Sequence, residues 1–311
     1  MKVSTIYVVE QGVKITKQSR RVVICREKEI LLELPEFQIE RVVVFGNVHI
    51  TTPALQFFLD NGIDVAFLTL RGKYRGRLIS RFSKNIFLRL EAFKLHQDKD
   101  YCLRFARNIV KGKLERIKEN VKDKDFIQNL MDSLERKQSL NSIRGVEGIG
   151  TAVYFREIST KIPEEYRFEK RIVHPSPDIV NASLSFGYTL LTNEFISLIE
   201  THGLDPHLGI FHQINYGRPS LALDLVEEFR IPVVDKVILK ILKLRCFKDR
   251  SEKIDEKGQF RLDEEEVKVL IAEYEEEAEK WREIFRKQIE YLVECINRKE
   301  VYNPYVLRCK L

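Results

Sequence analysis

Within residues 203–235, GLDPHLGIFHQINYGRPSLALDLVEEFRIPVVD, one histidine, His212, is followed by two carboxylates, Asp224 and Glu227. A further carboxylate, Glu147 in RGVEGIGTAVYF, is flanked by Gly145, Gly148 and Gly150 and is the third acidic candidate. Two or three carboxylates with one imidazole make a donor set for a hard divalent ion, and the nitrogen tilts the choice towards manganese or a tolerant magnesium site. Such an ion polarises a phosphoryl oxygen and lowers the pKa of bound water or of a sugar hydroxyl, so that chemistry needs no protein nucleophile. The chain nominates none: it has no GxSxG elbow, no GxxxxGK[ST] loop and no HExxH helix. Cys102 and Cys246 lie in apolar-looking helical segments.

The element that must position the carboxylates is legible from periodicity. After the Gly-Arg-Pro turn at 217–219, Ser220 to Phe229 reads as one helix on which Asp224 and Glu227 lean over the same face. Leu221, Leu225 and Phe229 recur at i, i+4 and i+8 and mark its buried side. His202, His207 and His212 fall five apart, on no single helical face, which argues against a three-histidine zinc site. His202 reads as a polar cap at a helix end and His207 as a loop residue, while His49, His96 and His174 have no acidic or cysteine company.

Glu147 in RGVEGIGTAVYF, Asn181 in SPDIVNASLSFGYTLL, His212 in GLDPHLGIFHQINYGRPS and the run LALDLVEEFRIPVVD together resemble the CRISPR-associated adaptation integrase, the metal-dependent nuclease of spacer acquisition. Order and spacing agree across the C-terminal two thirds of the chain. The resemblance implies that Glu147, His212 and Glu227 are ligands of Mg²⁺ or Mn²⁺, with Asp224 beside them as part of the catalytic site. Some relatives carry Asp where this chain has Glu227, and the adjacent Glu228 could take that place by swinging one rotamer. The implied reaction is attack by the 3′-hydroxyl of a short spacer duplex on a phosphodiester of repeat DNA; attack by water would give nicking. A homodimer joined through its N-terminal domains is also implied, with two such dimers bridged by a small ferredoxin-like second CRISPR-associated adaptation protein. Tyr188 lies between the two halves of the site in sequence. It is either a core residue with its hydroxyl on a nearby carbonyl or a residue that stacks on a frayed DNA end.

The net charge of +6 is unevenly placed. Residues 1–94 hold sixteen Lys and Arg against nine Asp and Glu, and the remainder nearly balances. From Arg71 to Arg89 there are seven basic residues (Arg71, Lys73, Arg75, Arg77, Arg81, Lys84 and Arg89) and no acid. They form either a solvated hairpin and helix start or a phosphate-contacting band whose binding releases counterions. Arg104, Arg107 and Lys111 make a second stripe of the same kind. Two other function classes stay open: a duplex-binding scaffold in which the carboxylates are solvated, and a metal-dependent hydrolase of a small phosphoester. The acidic run DEEEVKVLIAEYEEEAEK (263–280) would repel DNA, so the nucleic acid is expected elsewhere.

No apolar run approaches about 18 residues, so no membrane span is expected, and the N-terminus lacks the pattern of a signal peptide. Five scattered cysteines without a CxxC pair argue for a reducing cytoplasm. The expected fold is α+β in two domains. A small β-rich domain, residues 1–84, has five short Val/Ile-rich strands, a helix opened by Thr51-Thr52-Pro53 and closed by Asn61-Gly62, and strands IDVAFLT and YRGRLIS. A larger all-helical domain, residues 85–311, would carry the metal. Leu103, Ala106, Val110, Leu114 and Ile117 make one buried helix stripe there, and Ala152, Phe155 and Ile158 are core positions of the Glu147 helix.

Overall fold

The computed structural model describes residues 4–70, 72, 74–78, 85–166, 168–173, 175–247, 253–256 and 258–308. The chain divides into two compact units: residues 1–82 with 262–271, and residues 83–261 with 272–311.

The first unit is built on strands β1 (Ser4–Val8), β2 (Lys14–Gln18), β3 (Arg21–Arg26), β4 (Glu29–Pro35), β5 (Ile39–Phe45), β6 (His49–Ile50), β7 (Asp64–Leu68) and β8 (Tyr74–Leu78). They form two four-stranded sheets, ordered β1-β5-β7-β8 and β4-β3-β2-β6. In the first sheet β1, β5 and β7 run parallel and β8 closes it antiparallel. Helix α1 (Thr52–Asp60) makes the crossover to β7, with the Thr51 side chain capping the Ala54 N–H and a proline in the first turn. Alternation buries Ile6, Val8, Val42, Val44 and Val65 against Phe57 and Phe58 of α1. Strand β4, at a sheet edge, leaves Ile30, Leu31 and Leu32 exposed.

Among its described residues the second unit has helices and one β-bridge, Ile254–Phe260. Its elements are α2 (Ile86–Gln97), α3 (Lys99–Asn120), α4 (Lys124–Ser133), α5 (Leu140–Ser159), α6 (Ile179–Thr201), α7 (Ser220–Val226) and α8 (Lys236–Lys243). The acidic helix α9 (Glu264–Glu279), then α10 (Arg282–Arg298) and α11 (Tyr305–Arg308), complete the chain. On α3 the expected stripe is buried at Ala106, Val110, Leu114 and Ile117, with Leu103 half-buried. On α5, Phe155 and Ile158 are buried, but Ala152 is exposed because the core side of that helix runs through Tyr154 and Phe155. The helix expected to reach Phe229 stops at Val226 and continues after a turn as a π-helical stretch, Arg230–Asp235. Pro232 explains the change: it has no N–H to give the carbonyl four residues back, and the chain accommodates it by widening the turn. No helix among the described residues is long and apolar enough to cross a membrane.

Candidate functional site

Helices α3 and α5 pack closely because α5 carries a glycine at the contact. A Cβ on Gly150 would lie 2.3 Å from Leu114 Cδ2. One turn back on α5 is Glu147, and beside Leu114 on α3 is Lys113, so the approach of the two helices brings that pair together. Glu147 Oε1 accepts from the Lys113 ammonium and from Thr151 Oγ1, the latter at 2.8 Å one helical turn on. The first turns of α5 also hold the histidine loop. Arg144 donates to the Phe211 carbonyl through Nε at 3.0 Å and Nη2 at 2.6 Å.

Asp224, with no exposed surface, organises that loop from α7. Its Oδ2 accepts the backbone N–H of Ile210 at 2.7 Å and of Phe211 at 3.0 Å. Its Oδ1 accepts the His212 N–H and meets the His212 ring at Nδ1, both at 2.7 Å. An ionised carboxylate only accepts, so Nδ1 carries a proton, and in the neutral ring Nε2 has the lone pair. That lone pair faces Glu227, whose Oε1 is 3.6 Å away. Asp224 is therefore spent on aiming the imidazole, in the manner of an outer carboxylate behind a ligating histidine. Gly209 lets the loop lie against α7: a Cβ there would be 2.5 Å from the Ser220 carbonyl carbon.

Glu227 is 2% exposed and surrounded by cations. Arg230 Nη2 lies 3.2 Å from Oε1 and Lys113 Nζ 2.8 Å from Oε2. Burial raises its pKa, but the charges of Arg230 and Lys113 outweigh that and hold it at about 2. The two cations gain in return: burial alone would lower them, and the carboxylates around them raise both Lys113 and Arg230. The Arg230 guanidinium also stacks 4.9 Å from the centroid of the Tyr188 ring, and Arg171 lies 5.5 Å from the same ring. The Tyr188 hydroxyl donates to Asp235 Oδ1 at 2.6 Å, a carboxylate in place of the expected carbonyl, and Tyr154 donates to Oδ2 at 2.8 Å. Burial pushes the Asp235 carboxyl up to about 6 despite these two hydroxyls.

The structure thus brings His212, Asp224 and Glu227 into contact and joins Glu147 to Glu227 through Lys113. Among the described residues no three Asp, Glu, His or Cys side chains converge as a ready metal cage. The donors themselves suit a hard divalent ion: the Glu147 and Glu227 carboxylates and the His212 Nε2 nitrogen. An ammonium already sits where those carboxylates meet. Glu228 faces elsewhere, towards Tyr302 Oη at 3.0 Å and the Val306 N–H at 3.3 Å, and cannot replace Glu227 by a rotamer change. Asn181 is structural: its side chain accepts from the Ile172 N–H at 2.8 Å and donates to the Lys170 carbonyl at 3.0 Å.

The basic candidates divide. Arg75 is exposed, whereas Arg77 is buried against Asp64, with Nε 3.1 Å from Oδ1. Arg71, Lys73, Arg81 and Lys84 lie outside the described residues, and Arg89 is half-buried on α2. Arg104 pairs with Asp100 at 3.0 Å, Arg107 donates to the Lys137 carbonyl at 2.6 Å, and Lys111 is half-buried. Sequence reasoning missed Lys113 and Arg230. The signal for Lys113 was its place on the buried stripe between Val110 and Ile117; for Arg230 it was the spacing of three from Glu227.

A family model described as CRISPR associated protein Cas1 matches residues 6–276. The CRISPR-associated endonuclease Cas1 3 of Thermus thermophilus is 34% identical over 250 residues, covering 78% of this chain and 75% of that protein. A casposase bound to integration product superposes with a TM-score of 0.86 at 21% identity, covering 98% of this chain and 93% of the other. A chain of a Cas6-RT-Cas1–Cas2 complex gives 0.82 at 21% identity, covering 98% of this chain and 36% of the other. At these identities the two solved structures speak for the fold.

Proposed function

The chain belongs to the Cas1 family of CRISPR-associated proteins, and from that premise we propose that it is a metal-dependent DNA endonuclease and integrase of CRISPR adaptation, which inserts short duplex DNA into a repeat array. The observation that carries this reading is His212 fixed between Asp224 and Glu227, with Glu147 tied to the same carboxylate through one ammonium. Mg²⁺ or Mn²⁺ held by Glu147, His212 Nε2 and Glu227 would polarise the scissile phosphodiester and acidify the attacking 3′-hydroxyl or water. The chain's own residues prepare that event. Asp224 locks the imidazole tautomer and its direction. Arg230, held by Glu227 and by the Tyr188 ring, keeps a permanent positive charge next to the site, where negative charge grows on phosphoryl oxygens.

Substrate and partners follow as part of the same reading. Exposed Arg75 and Arg104 supply sequence-independent phosphate contacts for double-stranded DNA. The casposase structure, bound to integration product, supports a DNA substrate. The Cas1–Cas2 complex supports a second adaptation protein as partner. The exposed apolar row Ile30–Leu32 on the edge strand β4 supports a homodimer formed through the β unit. Free cysteines at all the described positions suit the cytoplasm.

The test is joining of a labelled duplex into a plasmid that carries a repeat array, in Mg²⁺ or Mn²⁺. Wild type should join and nick; Glu147→Gln, His212→Ala and Glu227→Gln should do neither while still binding duplex. Joining by Glu147→Gln at near the wild-type rate would sink the assignment and leave a DNA-binding scaffold in its place.

A further inference from the structure

Lys113 is 7% exposed and sits on the face of α3 that otherwise buries Val110, Leu114 and Ile117. A buried ammonium is stable only when fully paired, and this one is shared by two carboxylates from different elements. Glu147 Oε1 comes from α5 and Glu227 Oε2 from the turn after α7, the latter at 2.8 Å. They are the same two carboxylates assigned to the divalent ion. A point charge of +1 and an ion of +2 cannot share that space without strong repulsion. The lysine stem is flexible, and the Glu147 side chain, 21% exposed, gives the ammonium a way to solvent.

We propose that Lys113 is a built-in competitor for the metal: its ammonium holds Glu147 and Glu227 together while the ion is absent and is displaced when the ion binds. The inference rests on Glu147 and Glu227 being metal ligands. Lys113 thereby sets two quantities in opposite directions. It stabilises the metal-free fold, and it weakens the apparent affinity for the ion by the cost of breaking its own ion pairs.

The experiment is calorimetric titration of the full chain with Mn²⁺ alone, without DNA, alongside thermal melting in chelator. Lys113→Met keeps most of the stem volume and removes the charge. It should melt below wild type in chelator yet bind Mn²⁺ at least about tenfold more tightly. Equal or weaker Mn²⁺ binding by Lys113→Met overturns the proposal. Wild type that stays folded and binds no Mn²⁺ overturns the ligand assignment itself, and Glu147→Gln, which should lose binding, checks that assignment separately. If Lys113→Met does not fold, amine acylation of wild type read by mass spectrometry decides. Saturating Mn²⁺ should raise labelling at Lys113 several-fold, and labelling that does not change with Mn²⁺ overturns the displacement.

Discussion

Replacing Asp224 by Asn tests whether this residue acts by aiming His212. In the wild type, two oxygens of a fully buried carboxylate accept four N–H groups, from Ile210, Phe211, His212 and the His212 ring. An amide keeps one acceptor oxygen, so in either orientation its NH₂ confronts two of those donors. Hydrogen bonds to a charged group contribute about 1.5–3 kcal/mol each, and two are lost, so Asp224→Asn should cost at least about 3 kcal/mol. For a unit of some 150–250 residues that is a fall in Tm of about 6–12 °C. If the amide nitrogen faces the ring, Nδ1 becomes an acceptor and the proton moves to Nε2, which removes the lone pair facing Glu227. Mn²⁺ binding and DNA joining should then fall as far as in His212→Ala, and the double variant should be no worse than the single, since both act through one imidazole. Melting curves, Mn²⁺ titration and the joining assay read the three quantities. An Asp224→Asn protein melting within about 2 °C of wild type and binding Mn²⁺ normally would refute the reasoning.

Asp235, with its carboxyl raised to about 6 by burial, binds its proton more tightly in the fold than in the unfolded chain. Its contribution is therefore complete below the ordinary carboxyl pKa and is lost as pH rises towards 6. The stability of Asp235→Asn relative to wild type should accordingly improve by roughly 2 kcal/mol between pH 4 and pH 7, and a difference independent of pH would contradict the assignment. Gly209→Ala drives a Cβ to 2.5 Å from the Ser220 backbone, which cannot rotate away. It should cost about 1–3 kcal/mol and weaken Mn²⁺ binding by displacing His212; unchanged melting and binding would count against that packing. Arg75→Ala should flatten the dependence of log affinity for duplex on log salt by about 0.9. Arg77→Ala should instead lower Tm by removing a buried guanidinium from the Asp64 ion pair, which Arg41 alone would then hold, leaving the slope as it was.

Legibility in the sequence followed distance along the chain. The strands and α1 of the first unit stand within a few residues of where alternation, the Thr51 cap and the Asn61-Gly62 stop placed them, because each of those signals is local. The two-residue strand β6, His49–Ile50, escaped because its pairing with β2 is parallel and remote. Glu147, His212, Asp224 and Glu227 could be nominated by residue type and family resemblance, and the spacing of three between Asp224 and Glu227, kept by the helical backbone of Glu227 just past the end of α7, does turn both towards His212. What the sequence did not reveal is the division of labour: which carboxylate meets which ring nitrogen depends on a loop folding back over α7, and that depends on Gly209 and Arg144 as much as on the ligands. Arg77 was read as a surface charge because its partner Asp64 stands on a neighbouring strand, thirteen residues away.

Glu227 and Glu228 show why residue type alone could not settle the site. They are identical, adjacent and both about equally buried. Successive residues on a helical turn point about 100° apart, so one enters a ring of cations and the other a pocket of neutral donors. Burial raises both. For Glu227 the charges of Arg230 and Lys113 win, and the carboxylate stays ionised at about 2. For Glu228 burial wins over the Tyr302 hydroxyl and the backbone N–H groups, and the carboxyl is pushed up to about 7. The Glu227 charge is maintained by Lys113 from α3 and by Arg230 from the stretch that follows it, so an ion need not displace a proton there. Lys113 and Arg230 therefore belong to the site as much as the proposed ligands do, although an ammonium or guanidinium cannot itself ligate a metal.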